Sequence, residues 1–315
     1  MAFVKDWKPK IGDKVKTTKK IEIFGGYLEQ GSIVTIIGES NRGYDIIDDE
    51  GNEFIECGWD FFRKPKDEEL IYENFNPKAE IEILTAWIRD WFDKNGSKAN
   101  AVIGISGGKD STIIAALLVR ALGKDRVVGV MMPNGVQKDI EDAQKVVDFL
   151  GIKSFVVNIN DAYNGLLGAI NGIDISKDTI INLPPRLRMA TLYAIAQSMP
   201  NGGRVINTCN KSEDYVGYST KYGDAAGDVS PCSDYLVCEM LQIGDALELP
   251  YDLVHKTPSD GLCGQTDEDK LGFTYDELDT YIKTGILEDK EKKEKIDRMH
   301  MMNLHKLQTI PMYKR

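Results

Sequence analysis

The spacing of apolar and polar residues changes near residue 68 and divides the chain into two segments. Residues 1–68 contain short alternating or apolar runs separated by turn sequences rich in glycine, asparagine and aspartate, a pattern typical of β-hairpins. We therefore predict a small all-β domain at 1–68 that is barrel-like and SH3-like. Its strands are predicted at 14–17, 21–24, 32–37, 44–48 and 53–57.

Residues 69–315 form the second predicted domain, in which helical and strand patterns alternate. A helix at 78–94 is indicated by apolar residues at helical spacing, with Trp87 and Trp91 expected in the core or at a dimer contact. This alternation predicts an α/β fold, a doubly wound parallel sheet that binds ligands beyond the carboxyl ends of its strands. Strands are predicted at 101–105, 126–132, 153–159 and 204–208, and further helices from Ser111 to Gly123, at 140–150, at 183–198 and, as an exposed helix, at 288–298.

Composition excludes several classes of protein. A net charge of −11 argues against nucleic acid or an anionic membrane as the main partner, because both require basic surface. The five cysteines form no Cys-x-x-Cys pair, which disfavours a zinc or iron–sulfur site and fits a reducing compartment. The longest apolar run, 113–119, is too short to span a bilayer, and the charged N-terminus lacks an apolar signal segment. We therefore expect a soluble cytoplasmic protein.

The segment 106–111, Ser-Gly-Gly-Lys-Asp-Ser, joins an apolar strand to a helix and is the strongest chemical signal in the chain. Its two glycines allow the backbone to fold tightly around an anion, and the free N–H groups of the helix start favour phosphate. Ser106 and Ser111 add hydroxyl donors, and Asp110 can hold magnesium against phosphate oxygens. The alternative interpretation is an ordinary βα turn.

This loop lacks the Walker spacing and instead resembles that of the N-type ATP pyrophosphatases, which cleave ATP between its α and β phosphates to adenylate a substrate. A second signature follows the fourth predicted strand, at 208–213 and 217–224. With both signatures, the chain resembles the ammonia-dependent NAD synthetases, a family of dimeric α/β enzymes, over about residues 76–313. Shorter matching segments are Pro133-Asn134-Gly135 with Gln137 and Asp139, Arg186-x-Arg188-Met189, Pro258-Ser259-x-x-Leu262, 266–268, 271–275 and His305-Lys306.

The resemblance implies an ATP-dependent amidation of deamido-NAD. The nicotinate carboxylate attacks the α-phosphate of ATP, pyrophosphate leaves, and ammonia converts the acyl-adenylate into NAD and AMP. Because the nucleophile belongs to the substrate, no catalytic serine or cysteine pair is required. We see no amidohydrolase segment with a catalytic cysteine, so we expect free ammonia, or ammonia from a partner, as the nitrogen donor.

The same resemblance assigns site residues. Asp110 and Glu213 are the expected magnesium ligands and, with Lys109, the expected catalytic residues. The positions that match ATP contacts are Gly104, Ile105, Ser106, Gly107, Gly108, Lys109, Asp110, Ser111, Thr208 and Ser259. The positions that match deamido-NAD contacts are Arg186, Lys221, Asp228, His305 and Lys306.

Several of these residues also have a plainer interpretation. Glu213 could be a solvated loop acid, Arg186 a surface residue and His305 a packed residue near the C-terminus. The glycine-containing stretch 223–227 could be a lid that excludes water from the acyl-adenylate. The roles of Tyr218 and Tyr222 are left open.

Three departures from the family pattern stand out. Met131-Met132 occupies the strand end where some members carry an ATP-contacting arginine, and Val237 stands where a lysine normally reaches the phosphates. Residues 1–68 lie outside the match, and we predict that they are dispensable for chemistry. Lys109, at the variable loop position, either supplies the missing positive charge or points into solvent.

Two other functions are compatible with parts of this pattern. One is another ATP pyrophosphatase, such as a GMP synthetase or a tRNA-modifying enzyme, although the acidic charge disfavours RNA. The other is a nucleotide-binding module without catalysis, in which residues 1–68 serve for docking.

Overall fold

The computed structural model of the chain describes residues 9–17, 21–23, 26–28, 32–40, 42–48, 51–57, 62–63, 75–136, 140–256 and 267–314. Two compact units, Met1–Trp91 and Phe92–Arg315, make up the molecule. The predicted boundary at residue 68 therefore lies within the first unit, and it stays a prediction. Among the described residues, no helix combines the length and apolar character that a bilayer span requires.

The first unit contains an antiparallel sheet in the order β6-β5-β4-β1-β7, and β2 pairs with β3 in a separate hairpin. Strand alternation is seen in β1, where Val15 and Thr17 are buried and their neighbours are half-buried. The core of this sheet includes Val34, Ile36 and Tyr44. The strands are β1 Lys14–Thr17, β2 Ile21–Ile23, β3 Gly26–Leu28, β4 Ile33–Ser40, β5 Gly43–Ile47, β6 Glu53–Cys57 and β7 Phe62–Arg63.

Helix α1, Pro77–Gly96, crosses the boundary between the units and has nearly the predicted limits. Ile81, Leu84, Ile88 and Phe92 are buried along its apolar face. Trp87, expected in the core or at a dimer contact, is not part of the core, because 43% of its surface is exposed, and the dimer contact stays a prediction. Trp87 lies at the solvent edge of the apolar stripe, where an indole ring is tolerated.

The second unit is built on a parallel sheet in the order β10-β9-β8-β11 among the described residues. Its register aligns Val102 with Val128 on one side and with Val205 on the other. The strands are β8 Asn100–Gly104, β9 Val127–Met131, β10 Lys153–Val156 and β11 Gly203–Ile206. The remaining helices are α2 Lys109–Leu122, α3 Ile140–Leu150, α4 Asn160–Ala169, α5 Lys177–Ser198, α6 Lys211–Val216, α7 Val237–Ala246, α8 Tyr251–Val254, α9 Asp267–Leu271, α10 Tyr275–Thr284 and α11 Lys290–Leu307.

Helices cover both faces of this sheet. On one face, Val102, Val128 and Val205 pack with Met189 and Leu192 of α5. On the other face, a Cβ added to Gly129 of β9 would lie 3.5 Å from Val147 of α3. The predicted α/β fold with a helix-covered parallel sheet is therefore confirmed, and the loops after β8, β9 and β11 meet at one edge.

Two predicted helices differ from the observed ones. Helix α5 begins at Lys177 rather than 183, because Ser176 caps it by accepting a hydrogen bond from Thr179 N, and Pro184-Pro185 is accommodated inside the helix. The carbonyls that these prolines leave without a helical donor belong to Ile180 and Ile181, both exposed. Helix α11 extends beyond the predicted exposed segment and buries Ile296 completely.

Candidate active site

The loop between β8 and α2 is shaped by its two glycines. Gly107 has φ 77°, a left-handed conformation that favours glycine, and a Cβ there would lie 2.7 Å from Ala143 N at the start of α3. Gly108 is extended and caps α2. Any side chain at position 107 would therefore push the loop away from α3, whereas position 108 is restricted mainly by Ser106 Oγ at 3.3 Å.

The two loop serines hold each other in place. Ser106 Oγ accepts a hydrogen bond from Gly108 N at 3.2 Å, and Ser111 Oγ donates to Gly108 O at 3.1 Å. The two hydroxyl oxygens are 3.1 Å apart. This arrangement forms the turn without a ligand, and it places two hydroxyl groups beside the free N–H groups of the α2 start, where an anion is favoured.

A compact charge cluster lies at the start of α2. Lys109 Nζ is 2.9 Å from Asp110 Oδ2 and 3.8 Å from Glu213 Oε1, and the three side chains are 6%, 16% and 19% exposed. Asn210 connects the cluster to α6: its amide donates to Asp110 Oδ1 at 3.1 Å, and its side-chain oxygen accepts from Glu213 N at 3.0 Å. Glu213 is thus not a solvated loop acid, and Lys109 does not point into solvent.

The electrostatics of this cluster follow from burial and close charges. Burial raises the pKa of Glu213 and the charge of Asp110 raises it further, while Lys109 partly offsets both effects. For Lys109, burial acts to lower the pKa, but the carboxylates of Asp110 and Glu213 outweigh it and the net direction is upward. Lys109 is therefore a permanent cation in this site.

Three of the five residues predicted to bind deamido-NAD are connected by hydrogen bonds, and a fourth, Lys306, follows His305 in α11. Arg186 Nε of α5 donates to Lys221 O at 3.2 Å, and Lys221 Nζ donates to His305 O of α11 at 2.7 Å. Lys306 Nζ donates to Gly217 O at 2.7 Å and to Ser219 O at 2.9 Å. Side chains from α5, α11 and the loop after α6 therefore meet on one surface.

The fifth residue, Asp228, makes different contacts. Its Oδ1 accepts from Tyr193 Oη at 3.1 Å, and its Oδ2 accepts from Val205 N of β11 at 2.8 Å. Thr208 is half-buried directly after β11, at the ligand edge of the sheet. Ser259, Gln137 and Asp139 lie outside the described residues.

Comparison with known proteins identifies this arrangement. The NAD synthase family model matches residues 80–315. The NH(3)-dependent NAD(+) synthetase of Finegoldia magna is 38% identical over 229 residues, which cover 71% of this chain and 91% of that protein. The enzyme of the same name from Pyrococcus furiosus is 40% identical over 189 residues, covering 60% of this chain and 72% of that protein. The chain belongs to the NAD synthase family.

Solved structures agree with this family. The NMN synthetase from Francisella tularensis superposes with a TM-score of 0.70 at 32% identity and covers 77% of this chain and all of that one. The NH3-dependent NAD synthetase from Campylobacter jejuni gives a TM-score of 0.63 at 23% identity, covering 76% and 100% of the two chains, and supports the fold alone. The strands and helices that carry the charge cluster thus belong to the family fold.

Val237, which stands where the family normally carries a lysine, is part of the apolar core. It is 6% exposed and packs in an apolar cluster with Tyr275, Leu271 and Phe273. Lys109 Nζ approaches the same cluster, 5.4 Å from the centroid of the Tyr275 ring. The cation at position 109 and the apolar residue at position 237 therefore border one aromatic side chain.

A buried polar network, missed in the sequence, fixes the start of α7. Ser212 Oγ donates to Asp279 Oδ1 and accepts from Val237 N at 3.0 Å, while Asp279 Oδ2 accepts from Cys238 N at 2.8 Å. Asp279 is 2% exposed. One sequence signal could have revealed this network. Asp279 stands at a position that the apolar pattern of α10 places on the buried face, and a buried acid needs hydrogen-bond donors, which here come from the start of another helix.

Arg188, which the sequence placed in a matching segment without a role, reaches the edge of the sheet. Its Nε donates to Met132 O at 3.0 Å, directly after β9. Burial lowers the pKa of Arg188, and the carboxylate of Asp224 partly offsets this effect. A guanidinium group thus stands at the strand end where Met131-Met132 had suggested that an arginine was lost.

Proposed function

We propose that this protein makes NAD by ATP-dependent amidation of deamido-NAD with ammonia. A carboxylate oxygen of the nicotinate attacks the α-phosphorus of ATP, and the bond to the β-phosphate oxygen breaks to release pyrophosphate. Ammonia then attacks the acyl carbon, the bond to AMP breaks, and the nitrogen loses a proton. Family membership and the 106–111 loop, folded for phosphate beside a buried carboxylate pair, are the observations that carry this proposal.

The roles of the chain's own residues follow from their positions. The N–H groups of the loop and of the α2 start, with Ser106 and Ser111, bind the β and γ phosphates as they become the leaving group. Lys109 contributes a fixed positive charge there. Catalysis then rests on positioning and charge compensation, because the substrate supplies the nucleophile.

Asp110 and Glu213 fit a magnesium ion. Among the described residues, no group of three or more His, Cys, Asp or Glu side chains forms a metal site on its own. Magnesium in nucleotide sites is commonly bound by one or two carboxylates together with phosphate oxygens, and Asp110 with Glu213 matches that donor set. When bound, magnesium would neutralise charge on the departing pyrophosphate.

Arg186, Lys221, His305 and Lys306 are proposed to bind deamido-NAD, together with Asp228. The positive groups of Arg186, Lys221 and Lys306 come from α5, α11 and the loop after α6, and they suit the pyrophosphate and carboxylate of a dinucleotide acid. Thr208 and Ser259 are proposed ATP contacts with Gly104 and Ile105.

The test is incubation with ATP, magnesium, deamido-NAD and ammonium, with NAD, AMP and pyrophosphate quantified. We expect the three products in equal amounts. Release of ADP, or no NAD at any ammonium concentration, would contradict the proposal. The Asp110→Asn variant serves as the inactive control.

Amidation of the corresponding mononucleotide is a second candidate. The likeness to the NMN synthetase from Francisella tularensis, at 32% identity across all of that chain, favours it. The ratio of kcat/KM for nicotinate mononucleotide and for deamido-NAD distinguishes the two reactions. A ratio above one would make the mononucleotide the physiological acid.

A homodimer is proposed on the apolar surface of α4 and the start of α5. None of the residues of α4 is fully buried. Exposed apolar side chains often mark contact sites, and we propose that those of these two segments pack against a second copy. Light scattering should give twice the chain mass for the protein and the single mass for a Leu166→Asp, Ile181→Asp variant. The exposed apolar residues here are Leu166, Ile173, Ile180 and Ile181.

We propose that residues 1–68 form an SH3-like barrel that includes the antiparallel sheet. We also propose that this barrel is not needed for chemistry. The core residues of that sheet include none of the loop residues that carry the candidate site. A chain that begins near Glu69 and folds is expected to keep its turnover, and loss of turnover would contradict this role. The cytoplasmic location stays a prediction from composition.

A further inference from the structure

The ammonium group of Lys109 lies between the two carboxylates proposed to bind magnesium. It is within ion-pair distance of both, 2.9 Å from Asp110 Oδ2 and 3.8 Å from Glu213 Oε1. Only 6% of the Lys109 side chain is exposed, so water screens these ion pairs weakly. The pair of acids therefore already has a cation in the absence of any ligand.

Both oxygens of Asp110 are engaged by the protein. Oδ2 accepts from Lys109 Nζ, and Oδ1 accepts from Asn210 Nδ2 at 3.1 Å. A divalent ion that binds this carboxylate has to displace one of these donors or share an oxygen with it. It would also be repelled by a lysine charge a few ångströms away.

We propose that Lys109 is the resident counter-ion of the Asp110–Glu213 pair, so that a divalent ion binds there tightly only after nucleotide phosphates draw the Lys109 ammonium away. Lys109 is the first residue of α2, directly after the phosphate-binding glycines, so incoming phosphates offer it a second anionic partner. Its flexible four-carbon stem permits that movement. Nucleotide and metal then bind with positive coupling. This inference rests on the proposed role of the two carboxylates in nucleotide chemistry.

Tyr275 borders Lys109 and helps to keep the lysine out of water. Its ring lies against the lysine, with Nζ 5.4 Å from the centroid, and the residue is 5% exposed. Within the described part of the chain, its buried hydroxyl has no hydrogen-bond partner. Burial and the charge of Glu213 keep the phenol protonated by raising its pKa.

The test measures Mn²⁺ binding to the full chain without nucleotide. Binding is monitored by electron paramagnetic resonance, as the loss of the signal of free Mn²⁺. Wild-type protein should bind Mn²⁺ with a Kd of about 1 mM or weaker. The Lys109→Met variant should bind about tenfold more tightly, because the two acids lose their internal cation. Equal affinities of the two proteins would overturn the proposal.

Lys211→Met is the matched control. Lys211 lies two residues before Glu213 on α6, its side chain is 40% exposed, and its Nζ pairs with Asp234 Oδ1 at 2.9 Å. Its removal changes the same formal charge without touching the acid pair, so the Mn²⁺ affinity should stay within about twofold of wild type. If Lys211→Met gained as much Mn²⁺ affinity as Lys109→Met, the counter-ion role of Lys109 would be overturned, because the gain would then reflect the overall charge of the protein.

If Lys109→Met does not fold, the Mn²⁺ affinity of the wild-type protein without nucleotide is a test by itself. A Kd of about 10 µM or below for Mn²⁺ without nucleotide would overturn the proposal whatever the variant does. Because this measurement involves no acceptor substrate, failure to form NAD would refute the proposed function while leaving the metal result to decide this inference.

Discussion

The two halves of the candidate site are assembled in opposite ways. The phosphate half comes from six consecutive residues, 106–111, whose turn is held by their own glycines and hydroxyl groups. The dinucleotide half brings Arg186, Lys221 and Lys306 together from helices and loops that are distant in the chain. The local half is shaped mainly by hydrogen bonds among its own residues, whereas the non-local half depends on how the helices pack.

The largest expected effect is in the local half. Asp110→Asn removes one of the two carboxylates and the acceptor for Lys109 Nζ, so we expect kcat to fall by about 10²- to 10³-fold. NAD formation measured with saturating substrates checks this, and circular dichroism should show an unchanged fold. Asp125→Asn, in the short turn before β9, is the control and should keep full activity. A loss below tenfold for Asp110→Asn would mean that Asp110 has no part in the chemistry.

Lys109→Gln tests whether this loop cation of the local half replaces the lysine that the family normally carries at the position of Val237. Removal of a positive charge next to the departing pyrophosphate should lower turnover by about a hundredfold. Because Val237 borders the same Tyr275 ring, adding Val237→Lys should restore part of the rate. Steady-state turnover of the single and double variants is the measurement. An unchanged rate in Lys109→Gln would end the idea of a relocated cation.

Lys306→Met breaks the non-local half selectively. Lys306 Nζ loses its hydrogen bonds to Gly217 O and Ser219 O, so the loop after α6 is held less firmly and a positive group is lost from the dinucleotide surface. We expect KM for deamido-NAD to rise about tenfold while KM for ATP stays the same. Lys290→Met, at the other end of α11, is the control. Equal increases in both KM values would show that the two halves are not separable.

The smallest effect concerns a long-range ion pair that braces the local half. Asp142 lies against Gly107 and pairs with Lys145 at 2.8 Å and with Lys256 at 2.7 Å. Hydrogen bonds from Lys145 and Lys256 lower the pKa of Asp142 below its ordinary 3.8, so the carboxylate stabilises the fold above that pH and loses this effect as pH falls through the lowered value. Asp142→Asn should lower the free energy of unfolding by about 0.5 kcal/mol at pH 7, since water screens these pairs.

Urea unfolding of both proteins at pH 7 and at pH 3 measures this difference. The difference in the free energy of unfolding between wild type and Asp142→Asn should be smaller at pH 3, where the wild-type carboxyl begins to take up its proton. A gap that stays constant with pH would show that the loss comes from packing against the loop rather than from charge.

The sequence predicted the local half almost completely. Ser106, the two glycines and Asp110 lie together because chain neighbours need only a turn of known type, and the strand and helix patterns placed that turn. The parallel sheet was predicted for the same reason, since strand and helix periodicities are local signals. The pairing of Asp110 with Glu213, 103 residues later, came from the family resemblance and not from spacing.

What the sequence did not contain is geometry between distant elements. The Asn210 bridge, the Asp279 cap on α7 and the packing of α11 on α6 depend on tertiary contacts that no periodicity encodes. Lys109 illustrates the limit, because its direction was undecidable until Glu213 and Tyr275 were placed around it. Trp87 shows a second limit. Helical spacing placed it at the edge of the apolar stripe of α1 but did not tell whether that edge is buried or exposed.

The close fit of α11 against the end of α6 has a consequence for how the enzyme becomes active during synthesis. Gly217 has φ 65°, and a Cβ there would overlap the Asn303 side chain, while Asn303 donates to Val216 O at 3.2 Å. The six-residue helix that carries Glu213 is thus supported by Asn303, which the ribosome adds 87 residues after Val216. A nascent or clipped chain that stops before α11 would keep its phosphate loop but lack the support for its second acid, and we expect such a chain not to consume ATP.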